Sequence, residues 1–240
     1  MMDNITKQVL CGFCGKEFDY TVYPEIHIPG DHKLKKKVLN KTLFCPTCPY
    51  CKEEIKLKPN CIYRNDSKKE VVIVTDSQDT DFETLLMTGN IALNDVHSDE
   101  DVLAFIGGLY KRRVVRDVDS FREKILLSDN NYDDRIIELM KLSLSEILEK
   151  ENHEPVYRIF LEETSGNQLE FTAIMGKRAP FEYVSVKTPS IVYTQYKNKY
   201  QNKLGKPEED EYIATDQKWA ERSGLLKDED AGLMYSFRHA

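Results

Sequence analysis

The residues best equipped to do chemistry are six cysteines, at 11, 14, 45, 48, 51 and 61, all in the first quarter of a 240-residue chain. Cys11-Gly12-Phe13-Cys14 forms one hook, and the run Cys45-Pro46-Thr47-Cys48-Pro49-Tyr50-Cys51 offers two overlapping ones. Two residues between thiolates let both sulfurs face one point while backbone N–H groups of the turn bond back to them. Two such hooks, a few dozen residues apart and each running into strand-like sequence, have the layout of a zinc ribbon, in which four thiolates close on one tetrahedral ion. A site of that kind has no open coordination position, so its role is structural. Its binding free energy is in effect the folding free energy of a small domain with little core of its own.

Four ligands must be chosen from the five clustered cysteines. Setting CGFCGKEF over CPYCKEEI aligns the cysteines, a small turn residue, an aromatic, and a charged stretch that ends in an apolar residue. That superposition selects Cys11, Cys14, Cys48 and Cys51 as the metal ligands for one structural zinc and leaves Cys45 spare. Choosing Cys45 instead would put Pro49 straight after the second ligand, where it has no N–H to steady a sulfur. Buried free thiols and a redox pair are the competing readings. Thioredoxin-like pairs place the first cysteine at a helix N-terminus, where the macrodipole lowers its pKa. Strand-like sequence follows both hooks here, which favours metal.

At these residues the chain resembles the CpXC domain family of bacteria and archaea, whose members look like zinc ribbons with two Cys-Pro-x-Cys motifs separated by a strand and a short helix. Cys48-Pro49-Tyr50-Cys51 fits that pattern as it stands. Cys11-Gly12-Phe13-Cys14 has Gly where the family usually has Pro, and Lys52 stands where the second motif commonly has Gly; neither departure touches a ligand. The similarity continues through REKILLSDNNYDDRIIELMK at 122–141. The family is functionally uncharacterised, so the resemblance brings a metal site with it but no substrate, partner or reaction.

The elements that must position the hooks are legible in outline. A strand is expected over 17–28, bent at Pro24, then a turn at Pro29-Gly30-Asp31 and a short helix over 32–40 with Leu34, Val38 and Leu39 on its buried side. A strand follows near 54–57, and then an apolar patch at 61–63. The polar stretch 64–69 is the expected boundary between a ribbon domain, 1–66, and a mixed domain, 67–205. In the latter, strands are expected over 70–75 and 111–118, a short helix at 80–87, and an apolar stretch at 103–109. Ser120 and Glu123 have capping-box spacing before Ile125-Leu126-Leu127. Asp133 and Asp134 start the longest helix, to about 150, with Ile136, Ile137, Met140, Leu144, Ile147 and Leu148 on one face. Tyr157, Ile159 and Leu161 alternate, Ser165-Gly166-Asn167 turns the chain, and Leu169, Phe171 and Ala173 alternate back, with a third strand over 182–187. Thr188-Pro189 reads as the cap and first position of a helix that ends near Gly205. Residues 206–240 are expected to form an acidic, loosely attached tail on which Trp219, Leu225 and Leu226 could dock. The fold class is α+β, a four-cysteine zinc ribbon followed by a mixed domain with an antiparallel sheet.

Composition narrows the function. Hydrophobic residues at 40% and charged ones at 31% suit a globular chain. No apolar run approaches the ~20 residues that span a bilayer, and the N-terminus lacks signal-peptide character, so a cytoplasmic protein without membrane attachment is expected. Residues 1–61 hold 10 Lys/Arg against 7 Asp/Glu, or +3; the remainder holds 24 against 34, or −10, giving the net −7. An acidic chain is a poor binder of phosphate backbones, so a protein partner is expected ahead of nucleic acid. The basic stretch 33–37, with Lys33, Lys35, Lys36 and Lys37, is the one patch that argues otherwise. A solvated helix face is its simpler reading. The Tyr193, Tyr196 and Tyr200 stripe reads as core before base stacking. His32 reads as a solvated loop residue, and the carboxylates of 95–101 lack a calcium-loop pattern. No phosphate-binding glycine loop, nucleophile elbow or Cys/His catalytic pair is present, which points away from an enzyme. The sequence thus supports a zinc-stabilised interaction or regulatory module. An enzyme with its pocket in 67–205, and a nucleic-acid binder using 33–37, are the alternatives.

Overall fold

The computed structural model describes residues 5–58, 60–75, 110–205, 215–226 and Met234. These divide into two compact units, one running to Arg122 and the other beginning at Glu123. The expected segments at 80–87, 95–101 and 103–109 lie outside the described residues.

The first unit opens with β1 (Ile5–Leu10) and β2 (Glu17–Val22), antiparallel over six residue pairs from Ile5↔Val22 to Leu10↔Glu17. Strand β3 (Glu25–Ile28) belongs to a different sheet. The expected single strand over 17–28 is therefore two, divided at Pro24, whose missing N–H cannot serve a ladder. Strands β3, β4 (Cys61–Asn65), β5 (Glu70–Val74) and β6 (Lys111–Val115) form a four-stranded sheet in that order, with β3 parallel to β4, β4 antiparallel to β5, and β5 parallel to β6. Every residue of β5 is buried, as befits a strand flanked on both sides and covered on both faces. Helix α1 (His32–Leu39) lies in the crossover between β3 and β4, with Val38 buried. Residue 66, the expected domain boundary, falls in the short 3-10 turn Asp66–Lys68 between β4 and β5, so the same sheet continues across it.

Helix α2 (Val118–Asp129) begins before the expected capping box. Asp117 supplies the cap, accepting from the Ser120 N–H at 2.9 Å and from the Ser120 hydroxyl at 3.1 Å. Glu123, expected to reach back to Ser120, is buried instead. The division between the units falls within this helix.

In the second unit, α3 (Asp134–Asn152) starts at an Asp133 cap whose side chain accepts from the Arg135 N–H. From Asp134 to Leu148 it is buried almost all round, polar positions included, so it is a central helix rather than an amphipathic surface one. Strands β7 (Val156–Ser165), β8 (Gln168–Met175) and β9 (Glu182–Pro189) form an antiparallel meander. Leu169, Phe171, Ala173 and Met175 alternate into the core as the period-two pattern requires. Thr188 and Pro189 pair with Leu169 and Gln168, so the ladder holds them and α4 (Ser190–Tyr200) begins one residue later than expected. Tyr193, Tyr196 and Tyr200 are core residues, as their helical spacing suggested. The tail is not loose over residues 215–226. Helix α5 (Gln217–Ser223) is capped by Asp216, Ala220 is buried, and Trp219, Leu225 and Leu226 pack against the core. No described helix is long and apolar enough to cross a membrane.

Candidate metal centre

Each cysteine hook is the turn of an antiparallel pair. The first closes the β1–β2 hairpin: Cys11 N–H donates to the Lys16 carbonyl at 2.9 Å, and Gly15 N–H to the Cys11 carbonyl at 2.8 Å. The second repeats this pattern 37 residues on, Cys48 N–H donating to the Glu53 carbonyl at 2.8 Å and Lys52 N–H to the Cys48 carbonyl at 3.0 Å. The flanking pairs correspond too, Leu10↔Glu17 in the first and Thr47↔Glu54 in the second. The register of the second pair persists in the bonds Ile55 N–H to Pro46 O and Leu57 N–H to Phe44 O. The strand expected over 54–57 is reduced to this isolated bridge because Pro46 has no N–H to return to Ile55.

The repeat reaches the backbone angles. Gly15 has φ +70° and Lys52, its equivalent, φ +66°. The turn demands a left-handed residue, which glycine adopts freely and lysine at a cost. That is the physical reason for glycine after such a hook, and Lys52 departs from it while its ammonium donates to the Pro49 carbonyl at 3.0 Å. The aromatics in equivalent turn positions, Phe13 and Tyr50, are 69% and 55% exposed. Lys16 Nζ sits 4.7 Å from the Tyr50 ring centroid and so ties the two hooks together.

The four sulfurs of Cys11, Cys14, Cys48 and Cys51 all lie within 4.8 Å of one another. Cys11 Sγ and Cys51 Sγ are 3.6 Å apart, and Cys14 Sγ and Cys48 Sγ 3.8 Å. These separations are far beyond a disulfide bond. A tetrahedral ion about 2.3 Å from four thiolates would set its ligands about 3.8 Å apart, so the residues present fit such an ion. Cys11 and Cys48 are buried, whereas Cys14 and Cys51 are half-buried.

The electrostatics are those of four thiols sharing one small volume. Burial opposes ionisation of Cys48, but N–H groups of Cys51 and Tyr50 and the adjacent thiols outweigh it and bring Cys48 down to about 6. Around Cys51 the Glu53 N–H favours the thiolate, yet burial and the neighbouring Cys11, Cys48 and Cys14 push it up to about 12. Cys14 is likewise raised, burial and its neighbours overcoming the Lys16 N–H. The Cys48 thiolate forms readily while Cys51 and Cys14 resist joining it, which is the situation a divalent cation relieves.

Cys45 stands outside the cluster, as the hook alignment required, and burial followed by the nearby Glu54 raises its pKa. Cys61 is a buried strand residue of β4 whose thiol faces the Ile62 carbonyl, and burial raises it strongly. In the basic stretch, Lys35 Nζ lies 6.0 Å from the Tyr63 ring centroid and Lys37 Nζ 5.9 Å from that of Tyr23. His32 is exposed. One polar cluster in this unit left no sequence signal. Asp66 accepts from Arg64 Nε at 2.5 Å and from the Tyr110 hydroxyl at 3.1 Å, and lies 2.7 Å from His27 Nε2. Burial works against its charge, but Arg64 and His27 hold the carboxyl below its ordinary value. The β3–β4 pairing sets His27 beside Arg64, and the β5–β6 pairing carries Tyr110 in just ahead of Lys111, neither of which any local spacing encodes.

Fold and site together define an α+β protein with a ribbon-like four-cysteine centre near its N-terminus. A family model described as CpXC protein matches residues 9–141, more than half of the chain, and the chain belongs to that family. No curated protein and no solved structure gives a significant match.

Proposed function

We propose that the CpXC ribbon holds one zinc ion through Cys11, Cys14, Cys48 and Cys51, and that the protein is a cytoplasmic, zinc-stabilised interaction or regulatory module without catalysis. The observation that carries the metal reading is the near-tetrahedral spacing of four sulfurs presented by two equivalent turns. Four soft thiolates are the donor set that zinc takes in closed structural sites. When bound, the ion would offset half of the four thiolate charges and cross-link the two hooks. Turn N–H groups of residues 16, 50, 51 and 53 orient the sulfurs that receive it.

An interaction role is supported by apolar exposure at the hooks, where the aromatics Phe13 and Tyr50 stand exposed in equivalent turn positions. The partner is taken to be protein rather than nucleic acid because the chain is acidic overall. The deciding experiment is metal analysis of the purified full chain, expected to give about one zinc per chain that resists mild chelation. Zinc-free protein with a stable Cys11–Cys14 disulfide would end the metal reading. Capture of partners by the tagged protein, repeated with Phe13→Ser and Tyr50→Ser, tests the interaction reading, which predicts that retention depends on those two side chains.

A further inference from the structure

The connection between β8 and β9, residues 176–181, borders a cleft of about 300 Å³ in the second unit. Met175, at the end of β8, gives it a buried apolar surface, and Glu182, the ladder partner of Met175, stands exposed beside it. Gly176, Lys177, Arg178 and Pro180 line it from the turn, and Glu154 from the link between α3 and β7. The turn is tied at both ends. Gly176 N–H donates to the Pro155 carbonyl at 2.9 Å, and the Phe181 ring stacks on Tyr157 with centroids 5.2 Å apart. Gly176 has φ +119°, where a side chain is strained, so the residue that opens the turn brings no bulk to the cleft.

The charged side chains lining the cleft are two of each sign: Lys177 and Arg178 against Glu154 and Glu182. Among the described residues none of the four makes an ion pair or a side-chain hydrogen bond, although opposite charges share the cleft. Nearby charges do find partners. Glu170 accepts from the Ser185 hydroxyl at 2.8 Å and lies 3.5 Å from Lys187 Nζ, and Glu149 accepts from the Val156 N–H at 2.9 Å. A cleft whose charges cancel draws in neither a plain anion nor a plain cation by its net field. A molecule carrying both groups matches it. A guanidinium takes a carboxylate through two parallel bonds, and carboxylates take an ammonium. Met175 and Pro180 offer apolar surface to the remainder, and the volume lies at the small end of the range for small-molecule sites.

We propose that this cleft binds a small zwitterion of the amino-acid class, its carboxylate held by Lys177 and Arg178 and its ammonium by Glu154 and Glu182. The site lies wholly within the second unit and does not rest on the metal reading of the ribbon.

The test follows backbone amide resonances of the full chain during titration with glycine, L-leucine and L-phenylalanine. Saturable shifts centred on residues 154 and 175–182 are expected from at least one of them. The N-acetyl and carboxamide derivatives of that amino acid, each lacking one charge, should bind roughly tenfold or more weakly, since each forfeits a charge-assisted pairing. Arg178→Gln and Glu182→Gln should weaken binding to a similar degree, whereas Lys187→Gln, on the paired part of β9, should not. No saturable shift from any of the free amino acids at millimolar concentration, or shifts centred elsewhere, would overturn the proposal. Equal binding by the blocked derivatives, or unchanged affinity in both cleft variants, would do the same. Arg178 and Glu182 are exposed, so their variants keep the fold's core intact; should either fail to fold, the derivative series on the unaltered protein decides.

Discussion

In the ribbon, strand β1 is exposed at every position but one, where it is half-buried, and β2 has no buried residue. In the second unit, alternate residues of β8 are sealed into a core that also receives α3 and α4. Both regions are antiparallel, but the first is a two-stranded pair and the second a three-stranded meander, and only the meander seals a row of apolar side chains into a core. An isolated two-stranded hairpin is marginal in water. Four sulfurs brought to one point supply the tertiary contact that side-chain burial provides elsewhere. Under the metal reading proposed above, ligand chemistry would replace core volume where a segment is too short to enclose one.

The largest effect that would break this comparison comes from removing a ligand. Cys51→Ser is expected to abolish metal binding and unfold the ribbon while the second unit keeps its own melting transition. Cys45→Ser should retain both metal and fold. Metal content and calorimetry of the two single variants suffice, and an empty site in Cys45→Ser would overturn the hook alignment. The converse substitution acts on the other region. Phe171 is fully buried in β8, and Phe171→Ala should destabilise the second unit by about 3–5 kcal/mol. Metal stoichiometry should not move, and a loss of zinc in this variant would show that the two regions do not hold themselves separately.

Smaller effects sharpen the comparison between the two hooks. Gly15→Ala places a Cβ on a residue with φ +70°, although space around it is open, so the cost is conformational. It should weaken the metal-loaded ribbon by roughly 1–2 kcal/mol in denaturant titration. Lys52→Gly relieves the same strain at the equivalent site. After the loss of an exposed hydrogen bond and the extra freedom of the unfolded chain, it should stabilise the ribbon by about 0.5–1 kcal/mol. If Lys52→Gly destabilised as much as Gly15→Ala, the equivalence of the hooks would be limited to their cysteines.

Much of this was legible in the sequence because it was local. The hook repeat depends on residues three apart, the α3 start on Asp133 and the β7–β8 turn on Ser165-Gly166-Asn167, and each stands where its own chemistry puts it. Errors fell where a neighbour outbid the local signal. Ser120 and Glu123 have capping spacing, but Asp117 caps the helix and Glu123 is drawn inward to the Leu161 N–H and Lys141. Thr188-Pro189 has helix-start chemistry, but the β8 ladder claims both residues.

The chain's own order of residue types marked out the cysteine cluster: two-residue spacing offered two registers, and the match of CGFCGKEF with CPYCKEEI chose Cys11, Cys14, Cys48 and Cys51, the four whose sulfurs the fold brings together. Tertiary structure alone decided which polar faces are buried. Asp134, Glu138 and Lys141 carry the helical spacing of a solvated face, and only the packing of α2 and β7 against α3 turns that face inward and obliges it to balance its charge. A turn is specified by the few residues within it, whereas burial is specified by whatever arrives from far along the chain.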